Sequence, residues 1–388
     1  MRAPIRVVAG LFLASLALRP QILAIGPLLP LIRGDLALSA GVAGLLTTIP
    51  VLCMGVFAPI GPRVAASLGT RSAFAACLAL IIGFGLLRSV TPSIELLLLA
   101  TLGIGIGIGM AGAIPSMVVS QGIAQRPVLG TGAYAGGIVA GSTLAAAFAV
   151  PLAINGDWRR VLAIISITSI LSLAAWLLPV RGERSLRVRD QRARRLPWRN
   201  PTAWLLILVF GLQSILFYGV VAWLPNIYVE RGWTADAAGA LVAVFNGVGL
   251  VTTIGLPIVA DRLGARRPQL TVASIIAVGS LAMLMVVPTL AFVWVAILGL
   301  ALGAVFPLVL TLPLDVASDA AEVGSFAALM LLGGYILSAT GPVALGAARD
   351  LTGDFGASLV LLIGIAIVLV VACLPLSPAR LRTSAGPG

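Results

Sequence analysis

The stretch LALRPQILAIGPLLPLIRGDL, residues 16–36, sets a guanidinium, a carboxamide and three prolines inside an apolar run long enough to cross a bilayer. At 1.5 Å per residue, Arg19 lies roughly 15 Å inside a span beginning near residue 9, about the bilayer centre. A charge there costs on the order of 2.5–3.5 kcal/mol, and arginine cannot shed its proton to escape that cost. All 13 acidic residues fall in loops or at span ends, with Glu95 at the head of the fourth span nearest to an exception. No carboxylate is therefore expected at the depth of Arg19. Two roles stay open. A substrate supplies the missing anion, for which guanidinium offers a planar fork of donors, or Arg19 braces the helix against backbone carbonyls. Prolines supply such carbonyls: Pro20, Pro27 and Pro30 each remove a helix N–H and orphan the oxygens of Leu16, Leu23 and Gly26. Pro20 and Pro27 are accordingly read as conformational residues.

Other embedded polar groups join Arg19 as candidate substrate contacts. Gln21 sits about 200° around the helix from Arg19, so it reads either as a site residue or as packing against a neighbouring helix. Gln213 and Ser214 lie in the seventh span, Ser214 at the position equivalent to Arg19 in the repeat described below. Tyr218, Asn246, Tyr335 and Ser116 qualify by depth alone. For all of these, hydrogen bonds that knit helices together are the competing role.

Several chemistries are excluded. There is no histidine and no lysine, which removes imidazole metal sites, Schiff bases and the commonest proton shuttle. The three cysteines are isolated in apolar context and read as small core residues. GIGMAG, residues 107–112, matches the dinucleotide fingerprint only formally: no strand precedes it and no acid follows at the required distance. Its glycines instead pair as Gly103 with Gly107 and Gly105 with Gly109, a pattern for close helix packing. Gly136, Gly137 and Gly141 read the same way. No Walker-A sequence is present, no cofactor or metal is expected, and an enzyme is the weakest hypothesis.

The elements that must position these groups are spans. The chain of 388 residues is 60% hydrophobic and only 10% charged, with a mean hydropathy of +1.12, whereas soluble domains carry about 25% charged residues. Apolar runs, about twelve of them from 8–32 to 357–376, fill the sequence. The fold class is thus an all-α polytopic membrane protein. RGERSLRVRDQRARRLPWRN, residues 181–200, with eight arginines, divides the runs into six and six. The expected domains are a six-helix bundle at 1–180, the basic linker, a second bundle at 201–376 and a tail at 377–388. Arginine bias places the linker and both termini in the cytoplasm. The net charge of +12 sits in short loops, so nucleic acid is not an expected partner.

The halves repeat at an offset of 195: LPLIRGDLALSAGVAG (29–44) aligns with LPNIYVERGWTADAAG (224–239), pairing Asp35 with Glu230 and Ser39 with Thr234. SLGTR (67–71) aligns with RLGAR (262–266). Parallel six-helix repeats of this kind are a transporter architecture with a midplane site.

Twelve spans with a basic central loop resemble the major facilitator superfamily. So do two copies of a glycine-rich Asp-Arg loop motif, ADRLGARR (260–267) and the weaker VAASLGTR (64–71). The resemblance implies two pseudo-symmetric six-helix bundles and gating roles for Asp261, Arg262, Gly264, Arg266, Gly69 and Arg71. Ala66 stands where the first copy should carry its acid, which puts an inner-gate salt bridge there in question. LRPQILAIGPLLPLIRGDLALS and GDWR (156–159) are similar to the cyanate and 2-nitroimidazole porter subfamily. That implies transport of small solutes by alternating access, with a leaning toward small anions; a monomer in the bacterial cytoplasmic membrane is expected. Two alternatives stay open. One is an exporter of neutral or aromatic drug-like compounds with Arg19 as a brace. The other is a non-transporting receptor or a channel.

Overall fold

The computed structural model describes residues 2–122, 127–178, 196–260, 266–317 and 320–376. Residues 181–195 of the basic linker, the tail from 377, and Asp261, Arg262 and Gly264 of the second loop motif lie outside them. The first helices are α1 (Arg2–Ser15), α2 (Pro20–Leu23), α3 (Ile25–Leu36), α4 (Ala40–Val56), α5 (Ile60–Leu68) and α6 (Thr70–Ser89). Next come α7 (Ile94–Ala111), α8 (Ile114–Gly122), α9 (Pro127–Leu152) and α10 (Trp158–Leu177). After the linker follow α11 (Pro201–Glu230), α12 (Ala235–Ala260), α13 (Arg266–Val286), α14 (Ala291–Thr311), α15 (Pro313–Val316), α16 (Ala320–Thr352) and α17 (Gly356–Cys373).

Among the described residues, ten helices are long and apolar enough to cross a membrane. Two bent pairs bring the number to twelve: Val7–Leu23 with Ile25–Leu36, bent by 40°, and Ala40–Val56 with Ile60–Leu68, bent by 63°. Helix starts obey local chemistry. Asn200 accepts from the Thr202 N–H ahead of Pro201 at the first helical position, and Asp157 accepts from the Arg160 N–H.

The chain separates into two compact units. One comprises residues 1–38, 45–190 and 234–239, the other residues 39–44, 191–233 and 240–388. In the first unit, the glycines of α7 face two neighbours. A Cβ at Gly107 would meet the Cys77 carbonyl of α6 at 2.9 Å, and one at Gly109 would meet the Cys53 carbonyl of α4 at 2.3 Å. Helices come this close only where both side chains are small. Cys53, Cys77 and Cys373 are buried and free.

In the second unit, α11 is buried along most of its length and α16 runs against it. Gly334 sits beneath the Phe210 ring and Gly341 beneath Ile215, while Trp223 Nε1 donates to the Pro342 carbonyl at 2.7 Å. The first turn of α4 also belongs to this unit, and all four of its leading N–H groups are met. Ala40 and Gly41 donate to the two Asp350 oxygens at 2.9 and 2.7 Å. Val42 donates to Ser39 Oγ, and Ala43 to the Ser39 carbonyl.

The 195-residue repeat recurs in these details. Ser39 caps Val42 as Thr234 caps Ala237. Asp35 binds Arg159 at 2.6 Å in the first unit, and its equivalent Glu230 binds Arg349 at 2.9 Å in the second. The GDWR segment thereby gains a purpose: Trp158 Nε1 and Arg159 both donate to Asp35 Oδ2.

Candidate functional site in the broken first span

The first span is not one helix. Regular structure stops at Ser15 and resumes at Pro20. The intervening turn tightens, with Ala17 N–H donating to Ala14 and Leu18 N–H to Ser15, bonds of i to i−3 type. Pro20 has no N–H to continue the ladder. Arg19 closes the break. It is the cap residue of α2, with φ −118° and ψ −17°, and its carbonyl accepts from Ile22 at 3.0 Å and Leu23 at 3.1 Å. The residue is half-buried and is not without a partner in the protein. Both roles named for it in the sequence stay open; what singles Arg19 out is its place at a helix discontinuity. Discontinuous membrane helices are where backbone polar groups turn toward a cavity instead of the ladder.

Gln21 points elsewhere. It is fully buried. Arg88 Nη2 donates to its main-chain carbonyl at 2.8 Å and to its Oε1 at 2.5 Å, and Gln21 Nε2 donates to Ser166 Oγ at 2.9 Å. Of the two roles open for Gln21, the structure displays the packing one.

In the second unit, Gln213, Ser214 and Tyr218 are buried on α11, with Ser214 Oγ donating to Gln213 Oε1 at 3.1 Å. Asn246 of α12 donates to the Val242 carbonyl one turn back. The rings form two groups: Tyr335 meets Phe210 edge-on at 5.0 Å, and Phe217 meets Tyr218 at 5.2 Å and Phe245 at 5.6 Å. Ser116 is exposed near the start of α8.

The described residues of the two loop motifs differ in their partners. In the first copy, Gly69 takes φ +82° between α5 and α6, a conformation that suits glycine. Arg71 Nη2 donates to the Leu177 and Leu178 carbonyls at 2.9 and 2.8 Å, closing the C-terminus of α10. With Ala66 in the acid's place, this arginine serves backbone oxygens. Its repeat equivalent Arg266 instead pairs with Asp315.

Arg88 is the residue that sequence reasoning passed over. It falls in the last turn of α6, at the end of an apolar run. The structure buries it completely. Its only signal was that the run's own boundary enclosed it.

The family model of the Major Facilitator Superfamily matches residues 10–342. The chain is 32% identical to the 2-nitroimidazole transporter of Escherichia coli (strain K12) over 370 residues, covering 93% of this chain and 92% of that protein. It is 30% identical to the cyanate transport protein CynX of the same organism, covering 89% and 90%. Among solved structures, the nucleoside transporter NupG matches at a TM-score of 0.75 with 13% identity over 97% of this chain and 99% of that one. The D-xylose–proton symporter matches at 0.73 with 16% identity over 96% of each.

Proposed function

This chain belongs to the major facilitator superfamily and is a multi-pass membrane transporter, not an enzyme; from that premise we propose that it carries a small monovalent anion, with Arg19 as the anion anchor. The observation that carries the reading is the placement of Arg19 at the break of the first span, half-buried, beside a glutamine turned the opposite way into its bundle. A guanidinium so placed binds a linear or carboxylate-like anion through paired N–H donors. The similarity to a protein named for cyanate transport supports the same solute class.

The membrane is the bacterial cytoplasmic membrane, with both termini and the arginine-rich linker on the cytoplasmic side. The two six-helix halves alternate access to the site. No histidine is present and all 13 acidic residues fall in loops or at span ends, so transport takes the form of facilitated diffusion, anion exchange, or symport in which the substrate brings its own proton. An essential Glu95 in a pH-driven flux, with Arg19 dispensable, would overturn this.

The test is ligand-induced thermal stabilisation of purified wild type and Arg19→Ala across cyanate, nitrate, thiocyanate, formate and neutral analogues. A ligand held by the folded state raises the melting temperature by mass action. One anion stabilising wild type and not the variant supports the anchor.

A second reading, export of neutral aromatic compounds, draws on the relative named for 2-nitroimidazole and on the two ring groups, Phe210 with Tyr335 and Phe217 with Tyr218 and Phe245. Arg19→Lys separates the two. An anion fork loses affinity strongly on that change, and an aromatic pocket tolerates it.

A further inference from the structure

We infer that Arg88 is a positioning residue for the anion site: it clamps Gln21 into the first unit and so sets the direction in which Arg19 points. This rests on the reading of Arg19 as the anion anchor.

Burying Arg88 is costly, and packing alone gives no reason for it. Arg88 is fully enclosed and always charged. Its hydrogen-bond partners are both neutral oxygens of Gln21, and its Nε and Nη1 find none. No carboxylate pairs with it among the described residues. An apolar side chain of similar volume would serve packing alone as well or better. What the guanidinium adds is its hold on one residue. A single Nη2 grips both the carbonyl and the side-chain Oε1 of Gln21, from α6.

The grip is completed from α10. Gln21 Nε2 donates to Ser166 Oγ, which itself donates to the Leu162 carbonyl at 2.7 Å. Gly85 keeps the slot open: a Cβ there would lie 2.5 Å from Ser166 Oγ and 2.7 Å from Gln21 Nε2. Two helices distant in sequence thus converge on the second residue of α2.

That residue needs holding. α2 has four residues, too few to be helical on its own, and the turn before it has already left the helical ladder. Arg19 precedes Gln21 by two positions, about 200° around the helix. With Gln21 drawn inward, the Arg19 side chain is directed away from the bundle core, in keeping with its half-buried state. Without the clamp, the short segment can rotate, and a misplacement of about 1 Å at a binding group costs up to a hundredfold.

The experiment measures the Kd for cyanate and the ligand-free melting temperature on purified full-length wild type, Arg19→Ala, Arg88→Met, Ser166→Ala and Gln21→Glu. Arg88→Met removes an uncompensated charge and keeps the volume, so its ligand-free melting temperature stays within a few degrees of wild type while cyanate binds roughly tenfold more weakly. Ser166→Ala removes only the second support, keeps the fold, and weakens binding by about threefold, a loss near 0.7 kcal/mol. It serves as the readout if Arg88→Met does not fold. Gln21→Glu gives Arg88 a counter-ion, so it raises the melting temperature, and that rise disappears in the Arg88→Met background. A lower melting temperature for Gln21→Glu overturns the clamp. Wild-type cyanate affinity in Arg88→Met and Ser166→Ala, with binding abolished in Arg19→Ala, overturns this inference and leaves the anchor standing. Wild-type affinity in Arg19→Ala overturns the anchor, and with it the role assigned to Arg88.

Discussion

Gly141→Ala sets one methyl group against a backbone carbonyl. A Cβ built at Gly141 of α9 lies 2.1 Å from the Leu16 oxygen, 2.9 Å from its carbonyl carbon and 3.1 Å from its Cα. Real Cβ contacts do not fall below 3.0 Å, so α9 and the broken turn must part by 3.0 − 2.1 = 0.9 Å. No flexible side chain can absorb the shift, because the three nearest atoms are all main chain. Overpacking of this kind costs about 1–3 kcal/mol, offset by up to about 1 kcal/mol of helix propensity gained on replacing glycine. Gly136→Ala makes the same chemical change five residues earlier on α9, where a Cβ meets only the Phe12 ring at 3.6 Å. That variant should melt at or above wild type, and Gly141→Ala below it. Comparing the two in one detergent cancels the propensity term and isolates the contact. Leu16 opens the break that ends at Arg19, so Gly141→Ala should also weaken cyanate binding. Equal melting temperatures for the two variants would refute the close approach of α9 to the break.

Asp350→Ala should leave the Ala40 and Gly41 N–H groups uncapped, costing about 1–2 kcal/mol; hydrogen exchange at the first turn of α4 should rise while the rest of that helix is unchanged. Arg71→Ala should lower stability by about 1 kcal/mol through the exposed α10 carbonyls, with Arg71→Lys recovering part of the loss as judged by melting temperature. Arg159→Ala should cost no more than about 1 kcal/mol, since both partners of the Asp35 pair are partly exposed and solvent screens them; a loss several times larger in a denaturation series would mean the pair does more than join α3 to α10.

Much of this architecture is legible along the chain. Run lengths near 20 residues predict the spans because lipid demands internally satisfied helices. The 195-residue offset predicts equivalent positions, and the paired devices at Ser39 and Thr234, and at Asp35 and Glu230, follow it in the folded units. The spacing of Gly103, Gly105, Gly107 and Gly109 predicts two tight faces on α7, one each for α6 and α4. The site is less legible. Arg19 stood out by depth, and Pro20 pointed to trouble in the helical ladder beside it. The close approach of Phe12 of α1 to Gly137, and of Leu16 in the break to Gly141, is visible only in the folded unit.

What the sequence alone determined is therefore depth and repetition: which segments span, where they start, and which positions are equivalent. Direction around each helix was decided only by tertiary structure. The reason is physical. A membrane bundle is as apolar on its lipid side as on its packed side, so hydropathy carries little record of which face is inside. Gln21 found its partners 67 and 145 residues away in Arg88 and Ser166, and Arg88 became a buried clamp because α2 and α6 meet there. No pattern local to either residue encodes that meeting.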